Sequence, residues 1–178
     1  MLNPRQLNLA MLVNAQAGRR WSVMPLLEEK LFLIQSRRIL VGKPAARFRV
    51  TQLAGLPLIL ATGVHGLKST LDSAFARAKC KPTVVAEIDS LAMLMDAVGS
   101  GLGCTLQPWA AVSRFADAAN RFHLTEIADT LAPRVNSLCS LSDDELSPAS
   151  LAARVVLADC ATEAVRARRW VGARLTGA

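Results

Sequence analysis

The sequence contains no tyrosine, and aromatic residues make up only 4% of its 178 residues. A chain with so few aromatic rings is poorly suited to stacking nucleic-acid bases, which argues against a single-strand-binding platform. Long apolar runs are also missing, although 52% of the residues are hydrophobic. No stretch approaches the roughly 20 consecutive apolar residues that a membrane-spanning helix requires. The first five residues do not resemble a secretory signal, so we expect a cytoplasmic globular protein that does not contact a membrane.

Closely spaced cysteines are missing too, since Cys80, Cys104, Cys139 and Cys160 are spread along the chain. Their spacing fits neither a zinc site nor a compact disulfide framework. We expect reduced thiols, most of them buried as small apolar side chains. No Ser-His-Asp order, paired catalytic carboxylates or metal-ligand cluster stands out. We therefore expect no catalytic residue, no metal and no cofactor, which is the pattern of a protein that is not an enzyme.

The net charge of +7 raises the question of nucleic-acid binding. Basic residues outnumber acidic ones before residue 61 and after residue 150, whereas residues 61–135 carry equal numbers of both and the acidic cluster Asp143-Asp144-Glu145 follows. No aromatic residues interleave the N-terminal arginines, as they do in an RNA-binding sheet. We interpret the basic excess as a solvated positive face and expect no direct, sequence-specific contact with DNA.

Short apolar runs alternate with helical patterns, which predicts an α/β fold with largely parallel strands. The predicted strands are Leu7–Val13, Leu31–Gln35, Leu56–Ala61, Thr83–Ile88, Cys104–Gln107 and Val135–Leu141. Helices are predicted over Leu67–Ala78 and Leu91–Val98, after Pro108-Trp109, and after Ser147-Pro148. The inward face of the last helix is predicted to carry Leu151, Val155, Ala158, Thr162 and Val165.

Two motifs could carry chemistry. Gly99-x-Gly101-x-Gly103 has dinucleotide-binding spacing, but it follows a predicted helix and precedes a strand, which is the reverse of a phosphate-binding loop. We interpret it as a helix C-cap and a tight turn. His65 lies in a glycine-flanked loop at the end of a predicted parallel strand, where open α/β sheets bind ligands. His65 could belong to a ligand site, or to a catalytic site with Cys104 as the nucleophile. Cys104, however, begins an apolar strand, which is more typical of a buried structural thiol.

Several stretches, taken in order, resemble the effector-binding domain of LysR-type transcriptional regulators. Leu53–Leu60 followed by His65-Gly66-Leu67 is similar to the middle of that domain, and Glu87–Leu91 and Gly101–Pro108 are similar to the segments that follow. Pro133-Arg134 and Leu146–Ala149 are similar to the return strand and the final helix. The resemblance extends from about Leu7 to about Val165, which is nearly the whole chain.

The resemblance implies a type-2 periplasmic-binding-protein-like fold, in which two α/β lobes are joined by two crossing strands. On this interpretation lobe I is 1–60 plus 138–178 and lobe II is 61–137. Such regulators begin with a winged helix-turn-helix, and we expect this segment, with the first strand and helix of the sensing domain, to be absent from this chain. DNA would then be bound only through a helix-turn-helix outside it. Regulators of this type usually dimerise through their sensing domains, so a homodimer is expected.

The resemblance also implies that a small organic effector, often an anion, binds between the lobes. Helix N-termini and hydroxyl groups that converge on a cleft favour negative charge. The candidate contacts are Thr62, Gly63, His65 and Gly66 on the first crossing, Asn136 and Ser137 on the second, and Ser90 and Trp109 at helix starts. Two alternatives stay open, namely a solute-binding receptor of the same fold and a small cytosolic enzyme that uses His65.

Overall fold

The computed structural model describes residues 7–18, 21–40, 47–62, 66–129, 131 and 133–177. In chain order the strands are β1 (Leu9–Val13), β2 (Trp21–Glu29), β3 (Leu31–Ser36), β4 (Arg47–Phe48), β5 (Pro57–Leu60), β6 (Thr83–Glu87), β7 (Thr105–Pro108), β8 (Phe122–Ile127), β9 (Arg134–Leu141) and β10 (Ala173–Leu175). The helices are α1 (Gly66–Arg77), α2 (Leu91–Gly99), α3 (Ala110–Ser113), α4 (Ala118–Arg121) and α5 (Pro148–Arg166), with a 3-10 helix over Val50–Gly55. None of the helices in the described ranges is long and apolar enough to cross a lipid bilayer.

The chain forms two compact units, as the predicted architecture requires. Unit 1 comprises the described residues of Met1–Lys30 and Pro133–Ala178, and unit 2 comprises those of Leu31–Ala132. The sequence-based division placed 31–60 in lobe I and put the first crossing at Leu56–Ala61. In the structure β3 pairs with β7 and β8, and β5 pairs with β6. These pairings place the described residues of 31–60 in unit 2, so the first passage between units follows Lys30.

Unit 1 is built on a four-stranded sheet in the order β1-β9-β2-β10, in which every neighbouring pair is antiparallel. The prediction of largely parallel strands is therefore wrong for the described part of this unit. An apolar run predicts a buried strand but not its direction, which depends on partners far away in sequence. The central strand β9 is buried from Asn136 to Leu141. Helix α5 packs on one face of the sheet, where Leu27, Leu138 and Ala161 form the core.

Helix α5 begins as the sequence predicts. The Ser147 hydroxyl caps it by accepting a hydrogen bond from the Ser150 N–H at 3.2 Å, and a proline follows the cap. The predicted inward face is wrong at Val155, which is 57% exposed. Arg154 turns towards the sheet instead, because its guanidinium donates to Ser140 Oγ at 3.2 Å and to Asp143 Oδ1 at 2.6 Å.

Unit 2 contains a composite sheet with a two-stranded part, β6-β5, and a four-stranded part, β7-β3-β8-β4. Its two parts are joined where the Ile59 N–H donates to the Cys104 carbonyl at 2.8 Å and the Cys104 N–H donates to the Pro57 carbonyl at 2.9 Å. β5 runs parallel to β6 and to the segment that enters β7. The prediction of parallel strands is confirmed for β5, β6 and the start of β7, but it is wrong for β3, which runs antiparallel to both β7 and β8.

Helices cover both faces of the unit 2 sheet. On one face Leu58 and Leu60 of β5 pack with residues of α1, including Leu67 and Leu71. On the other face Ile59 packs with α2 and α3. A strand that is buried on both faces needs apolar side chains at successive positions. This explains why β5 is a continuous apolar run.

The glycine-rich segment after α2 is a helix end, as interpreted from the sequence. The Leu102 N–H donates to the Ala97 carbonyl at 3.1 Å, and Gly101 has a φ of 81°, as in a Schellman C-cap. At Gly103 a Cβ would lie 2.6 Å from the Pro57 carbonyl oxygen. This close approach to β5 requires glycine, so the spacing serves packing and not a cofactor.

Candidate functional site

The carboxyl ends of β5 and β6 lie side by side at one edge of unit 2. Leu60 pairs with Glu87 at the end of both strands, and the Ile88 N–H donates to the Leu60 carbonyl at 2.9 Å. The residues that follow are therefore brought together. The Thr62 hydroxyl donates a hydrogen bond to the Asp89 carboxylate.

The two helices that leave this edge depart on opposite faces of the sheet. α1 follows β5 and packs on the Leu58 face, whereas α2 follows β6 and packs on the Ile59 face. An edge at which neighbouring parallel strands send their helices to opposite faces is a topological switch point, where open α/β sheets form a crevice for ligands. The N-termini of both helices border this crevice, and each carries N–H groups without helical partners and a partial positive charge.

Gly66 and Ser90 mark the starts of these helices. Gly66 is the first residue of α1, and Gly63 and His65 lie outside the described residues. Ser90 is the N-cap of α2, and its hydroxyl accepts a hydrogen bond from the Met93 N–H at 3.4 Å. Its oxygen therefore satisfies the helix, and the remaining N–H groups of the first turn are available to a ligand.

Trp109 lies at the same edge, because β7 runs parallel to β5 and ends at Pro108. It precedes α3, where its carbonyl accepts hydrogen bonds from the N–H groups of Val112 and Ser113. Its half-buried ring packs against the core cluster on the α2 face. Trp109 is thus mainly a packing residue at the border of the crevice.

Asn136 and Ser137 belong to unit 1 and are buried in the central strand β9. The Asn136 side chain donates from Nδ2 to Glu29 Oε2 at 2.7 Å. The same carboxylate accepts hydrogen bonds from Arg134 Nε at 3.4 Å and from Trp170 Nε1 at 2.9 Å. The structure therefore joins Thr62, Gly66, Ser90 and Trp109 at one edge of unit 2, and places Asn136 in a polar network of unit 1.

The thiol chemistry that an enzyme would need is absent at Cys104. This residue is fully buried, and its Sγ donates to the Pro57 carbonyl at 3.5 Å. Burial raises the pKa of the Cys104 thiol to about 12, so the thiolate that acts as a nucleophile does not form near neutral pH. Across the described ranges no three His, Cys, Asp or Glu side chains are grouped closely enough to hold a metal ion.

Comparison with known proteins gives a family match. Residues 1–162 match the family described as the LysR substrate binding domain. The chain belongs to this family. The solved structures it resembles include effector-binding and regulatory domains, so the architecture is the type-2 periplasmic-binding-protein-like fold predicted from the sequence.

Among the relatives of this LysR substrate-binding domain is the nitrogen assimilation regulatory protein Nac of Klebsiella aerogenes. It is 26% identical over 152 residues, which cover 85% of this chain and 48% of Nac. The effector-binding domain of QuiR in complex with shikimate superposes with a TM-score of 0.69 and 19% identity, over 86% of this chain and 70% of that one. The regulatory domain of Synechocystis CcmR in complex with 2-PG gives a TM-score of 0.69 and 17% identity, over 89% and 73%. The chain spans about half the length of the Nac protein that it matches.

Two residues that organise this LysR domain were not selected from the sequence as site residues. Asp89 directly precedes Ser90, the predicted helix start, and its carboxylate accepts the Thr62 hydroxyl hydrogen. Glu29 lies in β2, a strand that the sequence analysis missed. An acidic residue directly after a parallel strand was a usable signal for Asp89, whereas no local pattern indicated the three donors around Glu29.

Proposed function

We propose that this chain is the effector-sensing domain of a LysR-type transcription regulator and that it binds a small organic anion at the carboxyl edge of β5, β6 and β7. The observation that supports this most is the convergence of the α1 and α2 N-termini at a topological switch point. Two helix N-termini directed at one crevice favour a negatively charged ligand, because their free N–H groups donate hydrogen bonds and their dipoles add positive potential. Shikimate, held by the QuiR domain, is a carboxylate.

Thr62, Gly66 and Ser90 are the proposed contacts among the described residues, together with the backbone of Gly63 and His65. The hydroxyl of Thr62 already donates to Asp89, so a bound anion has to take over that hydrogen or rely on backbone N–H groups. Trp109 would border the ligand. Ligand contacts from Asn136 and Ser137 stay a prediction. The Asn136 amide already donates a hydrogen bond to the Glu29 carboxylate.

The proposal also covers the activity of the whole regulator, which extends beyond the matched domain. We propose that DNA is bound by a part of the regulator outside this domain. We also propose that the regulator acts in the cytoplasm. A homodimer is supported by exposed apolar side chains on α5, where Val155, Val156 and Leu157 are 57%, 59% and 45% exposed. Sedimentation equilibrium measures this association, and a monomer at all concentrations would contradict it.

The binding site is tested by the substitution Thr62→Val, which keeps the shape of the side chain and removes its hydroxyl. The assay is calorimetric titration with a panel of small carboxylates and sulfonates that includes shikimate. If Thr62 contacts the effector, affinity falls about tenfold, which is the loss expected for one hydrogen bond to a charged partner.

Thr83→Val is the matched control, since the Thr83 hydroxyl donates to the Ala54 carbonyl at 2.9 Å at the opposite end of β6. Both variants lose one surface hydrogen bond, so both should show small, similar losses in melting temperature. Equal affinities for Thr62→Val and wild type, with only the melting temperature lowered, would show that Thr62 merely stabilises the turn.

A further inference from the structure

A second cavity lies in unit 2, at the far end of α1 from the carboxyl edge. Its volume is about 260 Å³, and it is lined by Val50, Ala74, Arg77, Ala78, Asp129 and Leu131. Helix α1 has 12 residues and rises about 1.5 Å per residue, so its two ends are separated by roughly 17 Å along the axis. The cavity is therefore distinct from the site at Thr62.

Small side chains create the hollow. Ala74 lies in the last turns of α1, and Ala78 directly follows the helix and donates its N–H to the Ala74 carbonyl at 3.0 Å, so both present the same side to the cavity. Neither side chain is long enough to reach the opposite wall, where Val50 begins the 3-10 helix and Leu131 packs on the core. Val50, Ala74, Ala78 and Leu131 thus form the apolar part of the lining, and the space is about the size of a small metabolite.

The polar part of the lining comes from two opposite charges. Asp129 is held in place, because its Oδ2 accepts a hydrogen bond from the Val50 N–H at 2.7 Å. Arg77 stands in the last turn of α1 and is exposed. The two side chains line one cavity but form no ion pair with each other, and within the described ranges Arg77 has no carboxylate partner. A guanidinium and a carboxylate are thus both free to face a ligand.

We propose that this cavity is a second ligand site, which takes a small zwitterion of the amino-acid type. The carboxylate of such a ligand pairs with the Arg77 guanidinium, for which a two-pronged hydrogen bond is the favoured geometry. Its ammonium group pairs with Asp129, and its apolar body covers Val50, Ala74 and Leu131. A ligand with a single charge is attracted by one of these two side chains and repelled by the other. The cavity therefore favours molecules that carry both charges.

The test is calorimetric titration of the whole chain with L-leucine, isocaproate and isoamylamine. The last two probes are leucine without its ammonium group and leucine without its carboxylate. We expect saturable leucine binding in the millimolar range and at least tenfold weaker binding of each analogue. Arg77→Gln and Asp129→Asn should each weaken leucine binding about tenfold. Asn can still accept the Val50 hydrogen bond, so the second variant retains the fold.

Arg166→Gln is the matched control, because Arg166 occupies the last turn of α5 just as Arg77 occupies the last turn of α1. It should leave leucine binding unchanged. The proposal is overturned if leucine shows no saturable binding at millimolar concentration or binds no better than isocaproate or isoamylamine. It is also overturned if Arg77→Gln and Arg166→Gln have equal effects. Leucine and isocaproate are carboxylates of the class proposed for the effector site, so the Arg77→Gln and Asp129→Asn variants, which leave Thr62 unchanged, separate binding in this cavity from binding at that site.

Discussion

Replacing Glu29 by glutamine should destabilise unit 1, although the two side chains have the same shape. Both carboxylate oxygens of Glu29 accept hydrogen bonds, Oε1 from Trp170 Nε1 and Oε2 from Asn136 Nδ2 and Arg134 Nε. Glutamine has one acceptor oxygen and one NH₂ group that only donates. Whichever way its amide is turned, one donor of the network faces another donor.

The cost follows from the burial of the network. An unpaired buried donor costs about 1–3 kcal/mol, and a hydrogen bond to a charged group contributes about 1.5–3 kcal/mol. Arg134, whose side chain is 20% exposed, keeps some contact with water, so we expect a loss of about 2 kcal/mol in the free energy of unfolding. For a chain of this length the melting temperature falls about 2–4 °C per kcal/mol, which gives a decrease of about 4–8 °C.

Glu28→Gln provides the control from the neighbouring residue of the same strand. Glu28 pairs at 2.9 Å with Arg174, whose side chain is 76% exposed, and such surface pairs contribute about 0–1 kcal/mol. Scanning calorimetry and urea denaturation of the two variants measure the difference. Equal losses would refute the assignment of Glu29 as the centre of a buried network, and with it the structural role of Asn136.

Two further predictions concern single residues of unit 2 and α5. Iodoacetamide at pH near 8 should alkylate the exposed Cys160 in the folded chain and leave Cys104 intact until the chain unfolds. The reason is that burial raises the pKa of the Cys104 thiol to about 12. Mass spectrometry of the peptides measures the order of reaction, and alkylation of Cys104 before Cys160 would contradict the prediction. Gly101→Ala should lower stability by about 1–2 kcal/mol, because Gly101 has a φ of 81° and an added Cβ would lie 2.5 Å from the Ile39 side chain. Gly55→Ala has open space and should change the urea midpoint little, so similar midpoints for both variants would refute the strain argument.

The elements that the sequence predicts correctly carry strong local signals. α2 and α5 begin at serine caps and have apolar residues at helical spacing, and β5 is a short apolar run bounded by turn residues. β2 was missed because Pro25 interrupts it and acidic residues end it, both of which argue locally against a strand. Its place beside β9 is decided by pairing with residues more than a hundred positions away.

The contrast between local signals and distant partners also explains which features of the site could be predicted from the sequence. A general rule of parallel sheets predicts that residues after β5, β6 and β7 meet at one edge, and Thr62, Ser90 and Trp109 do lie there. Hydrogen-bond partners are not local properties, however. The partner of Thr62 is Asp89, and the partner of Asn136 is Glu29, and no sequence spacing indicates either pair.

The pair formed by Thr62 and Asp89 changes which anions the crevice should prefer. A ligand carboxylate is attracted to the helix N-termini but repelled by Asp89, and the single hydrogen of the Thr62 hydroxyl cannot serve both carboxylates. A hydroxy acid removes this conflict, because its own hydroxyl can donate to Asp89 while its carboxylate accepts from the helix N–H groups. The effector panel should therefore rank hydroxylated carboxylates above the corresponding plain carboxylates. If the plain acids bind as tightly, Asp89 does not face the ligand, and the anion is held by backbone N–H groups on the far side of the crevice.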